Sequence, residues 1–230
     1  MEHKSGCCIC GNELVYGKND EQLICFYCGQ TFDANVSCKD GHYVCDPCHS
    51  SSANDIIERF CIKSGSADPI ELALSLMRHP AVKMHGPEHH FLVPAVLLSA
   101  YYNQNERLDE KETKIKQARN RAEKVLGGFC GTHGICGAAV GTGIFVSLIT
   151  DTTPLSTEGW KQANRTTAKA LNVIAEHGGP RCCKRDSFLA IQSIMELLNS
   201  HFQSSASITC EFSDHNKECL KEKCPFYSGS

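Results

Sequence analysis

The chain has 230 residues, a formal net charge of −3 and 21% charged residues. This near-neutral balance excludes a bulk-basic nucleic-acid-binding protein and a chain with an acidic tail. The unusual feature is the cysteine content, which is sixteen residues. No export-signal pattern opens the chain, so we expect a cytoplasmic protein with reduced thiols. Clustered cysteines in that setting usually bind metal, and a disulfide framework is the alternative.

Residues 1–50 contain four closely spaced pairs of metal-ligand residues. A C-x-x-C motif places two thiolates on one tight turn, and two such turns complete a tetrahedral zinc site. The pairs therefore predict two structural zinc ions in a zinc-ribbon or treble-clef-like module, joined either sequentially or as a cross-brace. The predicted ligands are Cys7, Cys10, Cys25, Cys28, Cys38, His42, Cys45 and Cys48.

Two residues leave the ligand assignment in this module open. Cys8 is an additional thiol, and His49 is an alternative to His42. Some fifty residues form little core, so we expect the metal to supply folding free energy. Basic residues are few and unclustered here, which argues against contact with nucleic acid.

Residues 54–230 predict an all-α domain after a short serine-rich linker, so the fold class is mainly α. Ser52 or Asn54 can cap a first helix that ends near Lys63, and Asp68 precedes a proline at the start of the second. The charged helix over 109–125 has the mixed signs of a solvated face. The other predicted helices cover 69–78, 87–103, 157–177 and 186–202.

The stretch 126–150 contains seven glycines and no charged residue. Gly127, Gly128 and Gly131 predict a loop, after which the apolar residues predict a buried central helix. Gly137 and Gly141 would let a neighbouring backbone approach closely. The stretch is long enough to cross a bilayer, but its Gly-, Cys- and His-rich first half favours a buried helix instead.

Thiols and histidines of the helical domain form a second candidate site. Four thiolates would suffice for a [4Fe–4S] cluster, and the final Cys-Pro resembles the end of ferredoxin motifs. The alternative is that each cysteine is a buried structural residue. The candidate cofactor ligands are Cys130, Cys136, Cys182, Cys183, Cys219 and Cys224, with Cys210 upstream.

Three further residues are candidates for catalysis. Glu88 can act as a general base if a substrate enters beside it, and His89 follows directly. His133 shares a helical face with Cys136, three residues later. Each histidine can instead be a hydrogen-bonded structural residue.

Four motifs together resemble a known family: HGPEHHFLVPAVLL at 85–98, GGFCGTHGICGAAVGTGI at 127–144, GGPRCCKR at 178–185 and the terminal C-x4-C-P. They resemble the uncharacterised prokaryotic family of unknown function DUF5714, over about residues 55–230. The resemblance implies no established activity. It implies an association with anaerobes and with radical S-adenosylmethionine proteins, and so makes iron–sulfur chemistry more plausible.

Two functions of different classes follow. The first is an iron–sulfur or other thiolate–metal protein of anaerobic metabolism, acting in redox chemistry, in sulfur transfer or as an accessory to a radical S-adenosylmethionine enzyme. The second is a zinc-stabilised interaction or regulatory module without catalysis. The expected partner is a radical S-adenosylmethionine protein or another protein, and neither nucleic acid nor a membrane is expected.

Overall fold

The protein is mainly α-helical, as predicted. The computed structural model describes residues 7–49, 51–198, 201–202 and 208–229, without the side chain at position 20. The helices in that part of the chain are α1 (Asp46–His49), α2 (Ala53–Lys63), α3 (Pro69–Met77), α4 (Glu88–Gln104), α5 (Leu108–Ala122), α6 (Phe129–Thr132), α7 (Gly137–Ile149), α8 (Glu158–Glu176) and α9 (Cys183–Leu197).

The helix boundaries follow local signals. Asp68 accepts hydrogen bonds from the backbone N–H groups of Ile70 and Glu71 and so caps α3, while Ser52 caps α2. Helix α9 begins at Cys183, three residues before the predicted start, and its described part ends at Leu197. The predicted continuation to 202 includes residues 199–200, which lie outside the described residues.

A two-stranded antiparallel hairpin forms the amino-terminal part. Strand β1 (Leu14–Ile24) pairs with β2 (Thr31–Cys38), and the register shifts between Tyr16 and Glu21. An isolated hairpin is marginal in water. We therefore expect its stability to come from the cysteine-bearing turns around it and from packing against α2.

Tyr27 joins this part to the helices. The residue is fully buried, and its ring packs edge-on against Phe60 of α2 and against His79 at centroid distances of 5.8 and 4.7 Å. The neighbouring Phe26 ring stacks on Phe60 at 5.5 Å. The turn that carries Cys25 and Cys28 is thus anchored in the same hydrophobic core as the helices.

Helices α4 and α7 form the centre of the bundle. Helix α4 is buried along almost its whole length and contacts α2, α3, α5, α7 and α9. Helix α7 contacts α4, α5, α8 and α9, which confirms the prediction of a buried glycine-rich central helix. No helix within the described ranges is both long enough and apolar enough to span a bilayer.

Close packing explains the glycines of α7. A Cβ atom at Gly141 would lie 2.7 Å from Cδ of Pro94 and 3.2 Å from the carbonyl oxygen of His90, both in α4. A Cβ atom at Gly143 would lie 3.2 Å from the carbonyl oxygen of Ala163 in α8. Helices α4 and α8 therefore approach α7 at backbone distance on both sides.

We expect Gly141→Ala to lower the free energy of unfolding by about 1–3 kcal/mol, because the added methyl group overpacks the α4–α7 contact. Urea denaturation followed by circular dichroism measures this change. Gly131→Ala is the matched control, since a Cβ atom there meets nothing within 4 Å. If Gly141→Ala left the free energy of unfolding unchanged, α4 and α7 could move apart without loss of stability.

Candidate functional site

The amino-terminal ligand residues form two groups in a cross-brace. Cys7 and Cys10 join Cys38 and His42, whereas Cys25 and Cys28 join Cys45 and Cys48, and the ligand atoms within each group lie within 4.8 Å of one another. Pair one thus meets pair three and pair two meets pair four. The structure selects the cross-brace over sequential pairing, and it selects His42 over the exposed His49.

The sulfur spacing suits a single tetrahedral ion. Four thiolates bound to zinc at about 2.3 Å lie about 3.8 Å apart. The observed Sγ–Sγ distance is 3.7 Å between Cys10 and Cys38 and 3.8 Å between Cys28 and Cys45. Nδ1 of His42 lies 3.4 Å from Sγ of Cys38. Each group can therefore hold one metal ion.

Tight turns create this geometry from the sequence. In the first two turns a glycine at positive φ, Gly11 or Gly29, follows the second cysteine and returns a backbone hydrogen bond to the first. Backbone N–H groups also donate to sulfur: Ile9 N–H to Cys7 at 3.4 Å and Cys45 N–H to Cys25 at 3.4 Å. Such donors stabilise thiolates and orient them toward a metal.

Burial, neighbouring thiols and backbone N–H groups shift the pKa values of the cysteines in the second group. Burial and neighbouring thiols raise the pKa of Cys45 to about 11. At Cys25 burial acts in the same direction, but backbone N–H groups outweigh it and lower the pKa to about 7. A bound cation favours all four thiolates, since a coordinating thiol is deprotonated outright.

The remaining cysteines form no disulfide. All sixteen lie among the described residues, and all are free thiols. Cys8 is half-buried and belongs to neither group, and Cys61 is fully buried in the helical core. The disulfide alternative is therefore not supported by the structure.

A cavity between the start of α9 and the carboxyl-terminal segment brings four thiols together. We name it the tail cavity, and its cysteines are Cys182, Cys210, Cys219 and Cys224. The segment closes on itself through the N–H of Cys210, which donates to the carbonyl oxygen of Phe226 at 2.7 Å. Apolar side chains complete the walls: Met84, Phe188, Phe212, Leu220 and Phe226.

The four thiols are spaced more widely than a single-ion site requires. Among the described residues, three or more ligand atoms lie within 4.8 Å of one another only in the two amino-terminal groups. Burial raises the pKa of the Cys210 thiol, and the neighbouring thiols of Cys224 and Cys219 raise it further. A four-iron cluster lies between its ligands and holds their sulfurs farther apart than one ion does.

Hydrogen bonds to sulfur surround the tail cavity. Phe212 N–H donates to Cys210 and Lys221 N–H donates to Cys219, each at 3.4 Å. The Asn216 side-chain amide donates to Cys182 at 3.6 Å. Donors of this kind tune the potential of iron–sulfur clusters.

Buried positive charge lies beside the tail cavity. Lys184 is 5% exposed, lines the cavity and lies over the Phe212 ring at 3.8 Å. Arg185 also lines it and pairs with Asp186, with 2.9 Å between Nε and Oδ1. Burial lowers the pKa of Lys184 to about 8, while the nearby Cys182 and Cys210 thiols and the Glu88 and Glu211 carboxylates act in the opposite direction.

The other candidate cysteines line a second cavity of about 310 Å³ on the opposite side of the α9 start. We name it the glycine-loop cavity, because Gly127 and Gly128 form part of its wall. The structure therefore divides the six predicted cofactor cysteines into two sets of three. The polar residues that line this cavity include Cys130, Cys136, Cys183, His85, Arg181 and Asp186.

Asn216 bridges the two cavities. Its Oδ1 lies 3.3 Å from Nε2 of His85, which lines the glycine-loop cavity, and its Nδ2 donates to Cys182 in the tail cavity. Nδ1 of His85 is buried and has no hydrogen-bond partner among the described residues. The bridge thus connects the sulfur of one cavity to the imidazole of the other.

The three residues predicted to act in catalysis have different surroundings, and of the three His89 lines the glycine-loop cavity. Glu88 is buried, and its Oε1 accepts the N–H of Lys83 at 2.8 Å. His89 uses both ring nitrogens, at 3.1 Å from Oγ of Ser187 and 2.9 Å from the carbonyl oxygen of Lys83. The exposed His133 contacts Thr132 and the Phe129 ring, and it does not line the glycine-loop cavity. These contacts make Glu88 and His89 positioning groups for the 83–88 loop.

His89 makes stability depend on pH. Burial lowers its pKa to about 3, whereas the unfolded chain has the ordinary value of about 6.5. Below pH 6.5 the unfolded chain binds a proton that the folded chain excludes, so this contribution is full above pH 6.5 and falls toward pH 3. We expect His89→Gln to flatten the pH dependence of the free energy of unfolding by about 1 kcal/mol between pH 6.5 and 5.5.

Urea denaturation of wild type and variant across that pH range tests this expectation. The control is His133→Gln, which changes an exposed histidine and should keep the wild-type slope. Equal slopes for wild type and His89→Gln would mean that His89 is protonated in the folded protein.

Several residues in the two cavities carry no motif that sequence reasoning can use. Asn216 and Asp186 lie outside every motif quoted above. Cys210 is separated from Cys219 by eight residues, which matches no tight ferredoxin spacing. The only signal for it is its place upstream of C-x4-C-P in a cysteine-bearing tail.

Comparison with known proteins gives a family match without an activity. A family model described as "Family of unknown function (DUF5714)" matches residues 57–227. Neither the curated proteins nor the solved structures contain a match. The matched region includes both cavities and excludes the two amino-terminal groups.

Proposed function

Since the chain belongs to the family of unknown function DUF5714, whose description assigns no activity, we propose a function from its own thiol geometry. The protein is a thiolate–metal redox protein. Its two amino-terminal groups hold structural zinc, and its tail cavity holds a [4Fe–4S] cluster through Cys182, Cys210, Cys219 and Cys224. The observation that carries the proposal is the convergence of these four thiols, from two separate segments, on one apolar-walled cavity.

Zinc is the metal that fits the amino-terminal groups best. One group offers four thiolates and the other three thiolates and an imidazole, which are the ligand sets of closed structural zinc sites. Neither group leaves an open position for a substrate. Residues 1–50 thus form a zinc-binding domain, and residues 54–230 form the helical domain.

The thiol arrangement of the tail cavity favours an iron–sulfur cluster over a third zinc ion. The free volume of the cavity is about 20 Å³, so the carboxyl-terminal segment must move outward to admit a cluster. The sulfur atoms of the cavity lie farther apart than the ligands of a single ion. Those of Cys210 and Cys219 accept hydrogen bonds from backbone N–H groups. The positively charged side chains of Lys184 and Arg185 also line the cavity. When bound, the cluster supplies one-electron redox chemistry. The chain's own residues hold it, exclude water from it and connect it to His85 through Asn216.

The role of this cluster is electron transfer to chemistry in the glycine-loop cavity or to a protein partner. A radical S-adenosylmethionine protein is the partner that the sequence resemblance implies, and it stays a prediction. The hydrogen bond from Asn216 to Cys182 supports the first route, because it links the cluster ligand to a residue of the neighbouring cavity.

The test is spectroscopy of protein purified without oxygen. We expect a brown protein with broad absorption near 400 nm that bleaches with dithionite and then gives the electron paramagnetic resonance signal of a reduced [4Fe–4S] cluster. A colourless protein that contains zinc alone, also after incubation with iron and sulfide, would refute the redox proposal. In that case the zinc-stabilised interaction module is the remaining interpretation.

A further inference from the structure

The glycine-loop cavity has the size and the polar lining of a small-molecule site, and none of the four proposed cluster ligands lines it. Its volume of about 310 Å³ lies at the lower end of the range for ligand pockets, which is about 300–1,000 Å³. The occupant is therefore a small molecule. Because other cysteines line this cavity, the inference below does not depend on the metal content of the tail cavity.

The charges at this cavity favour an anion. Arg181 is exposed and lines the cavity, and no carboxylate pairs with it among the described residues. The carboxylate of Asp186 also lines the cavity, but it is bound to Arg185 in a buried ion pair. Burial lowers the pKa values of His89 and His90, so both are neutral. Arg181 is then the uncompensated charge.

Three helix starts add partial positive charge. Residues at the beginnings of α4, α7 and α9 line the cavity, and none of these helices has a side-chain hydrogen bond at its amino-terminal cap. Uncapped N–H groups at a helix start favour negative charge within the first turn. Independently, Nδ1 of His85 in the same wall is buried and unpartnered. Because Nε2–H of His85 donates to Oδ1 of Asn216, this Nδ1 is an acceptor, and it suits an O–H or N–H group of the occupant.

One thiol is placed to react. Nη1 of Arg181 lies 3.9 Å from Sγ of Cys130, which is half-buried in the short helix α6. Reactive cysteines typically lie in electropositive, partly exposed surroundings of this kind. The guanidinium also argues against a metal ion, because it would repel a cation at Cys130.

We propose that the glycine-loop cavity binds a small oxyanion-bearing substrate, with its oxyanion held by Arg181, an O–H or N–H group donating to Nδ1 of His85, and the Cys130 thiol facing its reactive end. Carboxylates and phosphates share the chemistry that these groups recognise. Cys136 and Cys183, at the starts of α7 and α9, also line the cavity.

Charge-selective alkylation tests the proposal on the full chain, purified without oxygen. Iodoacetate and iodoacetamide form the same kind of bond: the thiolate sulfur displaces iodide from carbon, and the thiol proton passes to the buffer. They differ in charge, since only iodoacetate is an anion. The rates are measured residue by residue by mass spectrometry after digestion, with Cys8 as the internal reference because it lies outside both metal groups.

We expect the iodoacetate-to-iodoacetamide rate ratio at Cys130 to exceed that at Cys8 by about tenfold, as expected from one neighbouring charge. Arg181→Gln should remove this preference, whereas Arg165→Gln, at an exposed position of α8, should keep it. Inorganic phosphate should slow iodoacetamide labelling of Cys130 but not of Cys8, and His85→Gln should weaken that protection.

Equal ratios at Cys130 and Cys8, or a preference that survives Arg181→Gln, would overturn the proposal. Labelling of Cys130 that begins only after a chelator is added would also overturn it, because the cavity would then hold a metal ion. Loss of the cluster spectrum has no bearing on these rates, so failure of the redox proposal is distinguishable from failure of this one.

Discussion

Cys48→Ser is expected to unfold the amino-terminal module and to lower the zinc content from about two ions to about one per chain. Cys48 is fully buried in the second group, where serine cannot replace a thiolate. Structural zinc in small modules contributes about 10–16 kcal/mol of apparent binding free energy, which is as large as the about 5–15 kcal/mol of net stability of a whole domain. A two-stranded hairpin cannot compensate for that loss.

The measurement combines zinc analysis with backbone amide NMR spectra. Signals from the hairpin should collapse to the shift range of unfolded chains, while signals from α7 and α8, which pack against each other and against α9, should persist. Cys8→Ser is the matched control, because Cys8 belongs to neither group. A variant that keeps dispersed hairpin signals with one zinc ion would show that the second group is not required for folding.

Cys219→Ser is expected to abolish the absorption spectrum of the iron–sulfur cluster. Cys219 is one of the four thiols of the tail cavity, and its sulfur accepts the N–H of Lys221. Loss of one of four thiolate ligands leaves an iron with an open position and a cluster that oxygen or solvent degrades. We expect the absorption near 400 nm to fall by at least about tenfold, with the helical circular dichroism retained.

The control for this prediction comes from the neighbouring cavity. Cys130→Ser changes a half-buried cysteine that lines the glycine-loop cavity and should keep the full cluster spectrum. If Cys130→Ser lost the spectrum and Cys219→Ser kept it, the cluster would lie in the glycine-loop cavity and not in the tail cavity. The comparison therefore tests the division of the six candidate cysteines into two sets.

The sequence predicts the fold well, because its signals are local. Asp68 followed by proline marks the start of α3, and the apolar run after the Gly127 loop marks α7. The two C-x-x-C-G turns predict metal ligands because ligand spacing within a turn is a local property. The choice between sequential and cross-brace pairing is not local, since it depends on how β1 and β2 pair, and the sequence leaves it open.

The tail cavity and the glycine-loop cavity are harder to predict from the sequence, because their residues come together only in the folded chain. Cys182 and Cys183 are neighbours in sequence but line different cavities, since they lie on two sides of the α9 start. Cys210 and Asn216 depend on the fold of the tail, which has no regular periodicity. The hydrogen bonds of Glu88 to the Lys83 N–H and of His89 to Ser187 also arise only in the folded chain, so the sequence does not reveal them.

Anomalous diffraction from anaerobically grown crystals, recorded at the zinc and iron absorption edges, tests the central claim most directly. We predict one zinc peak in each amino-terminal group and an iron peak enclosed by Cys182, Cys210, Cys219 and Cys224. A map from iron-reconstituted protein with zinc peaks alone, or with iron outside that cavity, would contradict the account.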